Sequence, residues 1–188
     1  MNMNLSDYRY GASKDLPVSL RNSIVPDERI MQAMYASGLI DNLEDSIVRA
    51  LLELMSLEYI NLGILSHELQ TELLKDALMI LVSGRINISA NLGNEPISLA
   101  LEEPGDMARI FSFVDSKNLF MQASINVITP SIVLLLPRTN LEASLLFQPE
   151  LAYGVMKNLV RYMHGMVRRR NFENSELSNY IYRNHGRY

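Results

Sequence analysis

The sequence predicts an α+β protein, in which short antiparallel strands close into a roll, barrel or sandwich after N-terminal helices and before a long C-terminal helix. Three observations predict it. Apolar residues recur at helical spacing from about Pro26 to Met55. Between Leu78 and Leu136 they alternate with polar ones in short runs divided by turn residues. From Pro149 to about Arg170 the helical period returns, now on two stripes.

Each element has a local reason. Residues up to about Ile24, rich in Asn, Ser, Asp and Tyr, show no period and read as an arm. Pro26 suits a first helical position, Asp27 and Glu28 a first turn, and Gly38 a stop. A second helix is expected to start at a capping Asp41 or Asn42, with Leu43, Ile47, Leu51, Leu54 and Met55 inward and Glu44 and Asp45 as a solvated first turn. The stretch Tyr59 to Lys75 is ambiguous: Leu65, Leu69 and Leu73 fit a helix, whereas a sheet protein calls for strands there. Leu78 to Ser83 is an apolar run ended by Gly84, Arg85 to Ala90 alternates, and Ile97, Leu99 and Leu101 alternate again after a turn. Gln122 to Ile128 and Ser131 to Leu136 read as two strands divided by Thr129-Pro130. Asn140 is placed to cap a short helix carrying Leu141, Leu145 and Leu146, and Pro149 to open the long one. In the long helix Leu151, Val155, Leu159, Tyr162 and Met166 form one stripe, and Ala152, Met156, Val160, Met163 and Val167 the other. One stripe docks a helix on its own domain; the second points to another subunit. Gly154 and Gly165, each costing about 1 kcal/mol against Ala in a helix, suggest close helix approaches.

Composition narrows the function. The 188 residues, 48% hydrophobic, suffice for one domain with a substantial core. The organisation expected is an arm and helix over 1–40, a central domain over 41–171 and a tail over 172–188. With no cysteine, disulfides, thiolate metal sites and cysteine nucleophiles are excluded. The polar N-terminus lacks a signal-peptide core and no apolar run would span a bilayer, so a cytoplasmic protein with no membrane contact is expected. A net charge of −4 argues against general nucleic-acid binding. Arg168, Arg169 and Arg170 would sit at a helix C-terminus, where the dipole favours them. His67, His164 and His185 lack ligand spacing, and no nucleophile elbow, Walker loop or dinucleotide fingerprint is present; no metal, cofactor or catalytic residue is assigned, and no enzyme is expected.

Several local motifs resemble, in order and spacing, the cyclic-nucleotide-binding domain of catabolite-activator-like regulators, from about Asp41 to Asn171. Leu78 to Ile86 is similar to its apolar strand followed by Ser-Gly-Arg/Lys-Val/Ile. Pro104-Gly105-Asp106 and Ser112-Phe113-Val114-Asp115 resemble its phosphate-binding cassette, Leu134 to Arg138 the exit from its last strand, and Pro149-Glu150-Leu151-Ala152 the start of its long helix. The resemblance implies a jelly-roll-like antiparallel β-roll, strands within Tyr59 to Lys75, and a homodimer through the long helix. It also implies a pocket formed by Gly105, Asp106, Arg109, Ile110, Ser112, Lys117, Met121, Ala123 and Ser124.

The same resemblance marks a loss. The family's Gly-Glu pair, whose carboxylate meets the ribose hydroxyl, falls on Arg109 and Ile110, and its phosphate-binding Arg falls on Met121. Two missing charged hydrogen bonds weaken binding by about 3 to 6 kcal/mol, or roughly 10² to 10⁴-fold. Phe111, Phe113, Phe120 and Met121 are the residues expected to fill the pocket. A regulatory or scaffolding module without tight binding of cyclic AMP or cyclic GMP is therefore expected, with an unidentified protein partner. The alternative is a cyclic-nucleotide sensor using Arg109, Lys117 and the cassette's backbone amides. The segment after the long helix, Phe172 to Tyr188, is too short for a winged helix-turn-helix, so direct DNA binding is not expected.

Overall fold

The computed structural model describes residues 27–64, 76–92, 95–114 and 123–185. Helix α1 (Glu28–Ser37) is capped by Asp27, whose side chain accepts from the Ile30 N–H at 2.9 Å, and ends at Gly38 in the left-handed region at φ 70. Asp27 is thus the cap, one position outside the first turn expected for it. Helix α2 (Asp45–Glu53) starts later than the sequence suggested, because Asn42 takes a left-handed turn at φ 58 instead of capping. Glu44 and Asp45 are solvated as expected.

Among the described residues the sheet has six strands in one antiparallel system: β1 (Ser56–Ile60), β2 (Gly63–Ile64), β3 (Ala77–Leu92), β4 (Glu95–Leu101), β5 (Met107–Ala108) and β6 (Ala123–Pro137). β6 lies between β1 and β3, β4 is hairpinned on β3, and β2 and β5 pair with β6 and β3. Two strands differ from the sequence expectation. The runs on either side of Gly84 are one strand, bent rather than ended, with register shifts between Leu81 and Ile86. There a Cβ on Gly84 would lie 2.6 Å from the Ser131 Cα, so only glycine allows the crossing. Likewise Thr129-Pro130 divides nothing, because Pro130 falls where β3 and β6 change register and no ladder N–H is demanded of it. Of the ambiguous stretch, Tyr59–Ile60 and Gly63–Ile64 are strand, while Leu65, Leu69 and Leu73 lie outside the described residues.

Period-two alternation feeds two cores. Leu78, Ile80, Val82, Leu134 and Leu136 face a layer of helices, together with Met34, Leu39, Leu51 and Leu151. Met79, Leu81, Val133, Leu135, Ile86, Ile125 and Val127 fill the inside of the roll. The other described helices are α3 (Ile110–Val114), α4 (Arg138–Ser144) and α5 (Pro149–His185). Asn140 does not cap α4. Its side chain donates to the Leu54 carbonyl at the end of α2, satisfying an acceptor that the helix leaves open.

Helix α5 is 37 residues long and passes the expected end near Arg170. No proline or glycine follows Gly165 before Gly186, so nothing stops it. Arg168 and Arg169 therefore lie exposed within the helix, away from its C-terminal dipole. Neither stripe is uniform: Leu151, Val155 and Leu159 of the first and Ala152 of the second are buried, Tyr162 and Met163 are half-buried against the same core, and Met156, Val160, Met166 and Val167 are exposed. Gly154 does mark a close approach, a Cβ there falling 2.5 Å from Leu43 Cδ2, but nothing lies within 4 Å of Gly165.

Candidate functional site

The cassette begins where β4 ends. Gly105 has φ 94, and a Cβ on it would fall 2.6 Å from the Ser37 backbone N, so the turn rests directly on the end of α1. Its N–H donates to the Leu81 carbonyl at 2.8 Å, and the Leu81 N–H to the Asp106 carbonyl at 2.9 Å. The Asp106 Oδ2 accepts from the N–H groups of Glu102 and Glu103 at 2.8 and 3.0 Å. Gly105 and Asp106 thus build the frame of the turn, and that carboxylate is engaged by its own backbone.

After this turn β5 divides between the cores, with Met107 on the helix side and Ala108 inside the roll. Arg109 follows at φ 66, a left-handed conformation that favours glycine. The Arg109 guanidinium is half-buried, its Nε without a hydrogen-bond partner. Burial holds it below its ordinary pKa, and the neighbouring Asp76 carboxylate opposes that shift. Asp76 pairs with Arg138 at 3.1 Å.

Ile110, set by sequence at the carboxylate position, is 6% exposed and packs on the helix side. Phe113 also fills that layer, rather than the roll interior suggested for it. Ser112 lies in α3, and Ala123 and Ser124 open β6 opposite Ala90 and Ser89, with Ser124 exposed. Lys117, Met121 and Phe120 lie outside the described residues. Among the described residues, Gly105 and Asp106 form the turn, Arg109 is half-buried near Asp76, and Ile110 packs on the helix side.

Sequence reasoning missed Glu58. It lies between Ser56 and Ile60 on the face of β1 that meets the roll interior, opposite Val133. Burial raises its pKa, and the Ser56 side chain partly offsets this by hydrogen bonding. The alternation Ser56, Glu58, Ile60 was the available signal.

The arrangement of two cores, a bent pair of long strands and a cassette turn between β4 and β6 has counterparts among solved structures. The chain is similar to the catabolite activator protein of Thermus thermophilus at 23% identity and TM-score 0.55, over 75% of this chain and 63% of that one. A cyclic nucleotide-binding domain from Methylobacillus flagellatus aligns at 18% identity and TM-score 0.56, over 73% of this chain and 80% of its own. The fold is that of a cyclic-nucleotide-binding domain. The N-terminal domain of a Streptomyces coelicolor transcriptional regulator shares this fold at 19% identity and TM-score 0.51, over 69% of this chain and 90% of that one. No sequence-family profile matches the chain. No curated protein matches it either. Among the described residues, no helix is long and apolar enough to cross a membrane, and no group of three or more metal-ligating side chains occurs.

Proposed function

We propose that this chain is a non-enzymatic regulatory or scaffolding module with the cyclic-nucleotide-binding fold, one that does not hold cyclic AMP or cyclic GMP tightly and pairs with a second copy through α5. Its structural neighbours include a catabolite activator and a transcriptional regulator, which supports a regulatory reading. The observation that carries the ligand half is Ile110, buried in the helix-side core at the position where the resembled cassette offers a carboxylate. Asp106 does not replace that carboxylate, because its Oδ2 is bound into the turn. Isothermal titration calorimetry with cyclic AMP, cyclic GMP and cyclic dinucleotides tests this. Micromolar binding that disappears in Arg109→Ala would refute it. That outcome would favour the second reading, a sensor in which Arg109, Lys117 and cassette amides meet the phosphate; the unpartnered Arg109 Nε is the observation in its favour.

The pairing half rests on α5. Tyr153, Val160 and Val167 recur every seven residues, with Met156 and the half-buried Met163, which also packs on the helix-side core, between them, which is the a/d spacing of a coiled coil. Valine at a positions suits two parallel strands. Tyr153, Val160 and Val167 are 69%, 61% and 58% exposed, although they are large and apolar. Beyond Met163 every side chain described on this helix, 164–169 and 172, is exposed, so those residues lack the packing that stabilises a helix in water. A second copy supplies it. Sedimentation equilibrium showing only monomer at high concentration would refute the pairing.

A further inference from the structure

At the start of α5 the surface carries both a protrusion and a recess. The turn before the helix exposes Leu146 and Phe147 at 82% and 84%. Beside it a groove of about 390 Å³ runs between α3, α4 and α5, floored by Phe113, Leu141 and Ala152 and flanked by Tyr153 and Met156. Its polar edge is already engaged, Arg138 facing Glu142 at 3.5 Å, so the groove offers apolar surface. Leu146 and Phe147 do not line it. A two-fold interface needs both complementary halves on each subunit, and here they adjoin.

We infer that Leu146 and Phe147 of one protomer seat in this groove of a second copy, an inference that rests on the parallel α5 pairing proposed above. Height along the helix selects that arrangement. The groove extends from Pro149 to Met156, so in a parallel pair its near end stands within about one helical turn of the other protomer's Phe147. In an antiparallel pair centred on Val160, the same Phe147 would lie about 25 Å past the groove. The exposed seam continues from the groove wall, Tyr153 and Met156 belonging to both, so groove and seam form one surface. An aromatic and an aliphatic side chain together fit the recess and remove two large apolar groups from water.

Because the chain has no cysteine, introduced thiols pair only with each other. Full-length Phe147→Cys protein is mixed with full-length Pro149→Cys protein, the thiol pair at the groove's near end, under mild oxidation, and Val167→Cys protein is oxidised separately. The expected result is a disulfide joining the two mixed variants, identified by peptide mapping, at a yield comparable to the Val167→Cys self-link. A Val167→Cys link without the mixed link would overturn the groove contact and leave the helix pairing standing. Absence of both links would overturn both. Independently, Phe147→Ser should raise the dimer dissociation constant roughly ten- to a hundredfold by sedimentation; an unchanged constant would overturn the inference.

Discussion

Asn158 is 3% exposed on α5, and its Nδ2 donates to the carbonyls of Leu39 and Asp41 at 2.8 and 2.9 Å. These carbonyls belong to the turn after α1, so one amide joins the long helix to the first helix. Asn158→Ala removes the donor and leaves both acceptors facing a void. An unsatisfied buried polar group costs about 1 to 3 kcal/mol, and water reaching the exposed Asp41 reduces its share, which gives about 2 to 4 kcal/mol in total. For a domain of this size each kcal/mol shifts Tm by about 2 to 4 °C, so a fall of roughly 5 to 15 °C is expected. The Arg161 Nη1 hydrogen bond to the Asn158 Oδ1, 3.1 Å long and on an exposed side chain, adds little, and Arg161→Ala should cost no more than about 0.5 kcal/mol. Asn158→Asp, which sets a carboxylate against two carbonyls, should be worse than Asn158→Ala. Urea denaturation at fixed protein concentration, which holds any dimerisation constant, measures all three. An Asn158→Ala cost below about 1 kcal/mol would refute the assignment of this amide as the tie between the helices.

Three further outcomes follow from the cassette and the roll. Gly105→Ala introduces a Cβ 2.6 Å from the Ser37 N at φ 94, where backbone rather than a side-chain tip must move; a loss of at least about 2 kcal/mol by chemical denaturation is expected. Glu58 has a raised folded pKa, so the native state binds more protons than the unfolded one between the two values, and stability falls as pH rises through that window. Glu58→Gln should therefore melt higher than the parent at neutral pH and alike below the ordinary glutamate range, and a difference persisting at low pH would contradict the cause given. Ile110→Glu puts a carboxylate into the helix-side core and should cost about 3 kcal/mol or more without creating affinity for cyclic AMP by calorimetry. A folded variant that binds would show that this side chain can turn into the roll.

The antiparallel roll was legible because alternation in β3, β4 and β6 is dense and turn residues are frequent. What misled was punctuation. Gly84 and Pro130 carry the residue types that end strands, yet each sits at a register offset between β3 and β6, and sequence alone does not distinguish a bend from a break. Asn140 had capping chemistry but spends its amide on the Leu54 carbonyl, a partner 86 residues away that no local pattern displays. In the cassette, sequence order located the turn. It could not say which core each side chain would enter, because β5 is only two residues long and divides between both. The left-handed backbone and half-buried guanidinium of Arg109 were invisible in composition.

The register shifts of β3 make the strand intolerant of length change in one place. Before the bend, odd-numbered Ala77, Met79 and Leu81 face the roll; after it, even-numbered Ile86, Ile88 and Ala90 do. The offset between Leu81 and Ile86 reconciles the two parities. Removing one residue there would leave either half free to keep its face only if the other turned inside out, carrying Ile86 and Ile88 to solvent or Met79 and Leu81 into the helix layer. Insertions and deletions compatible with this fold should therefore spare those few positions, and a chain altered there would have to be repaired by a compensating change on the same strand.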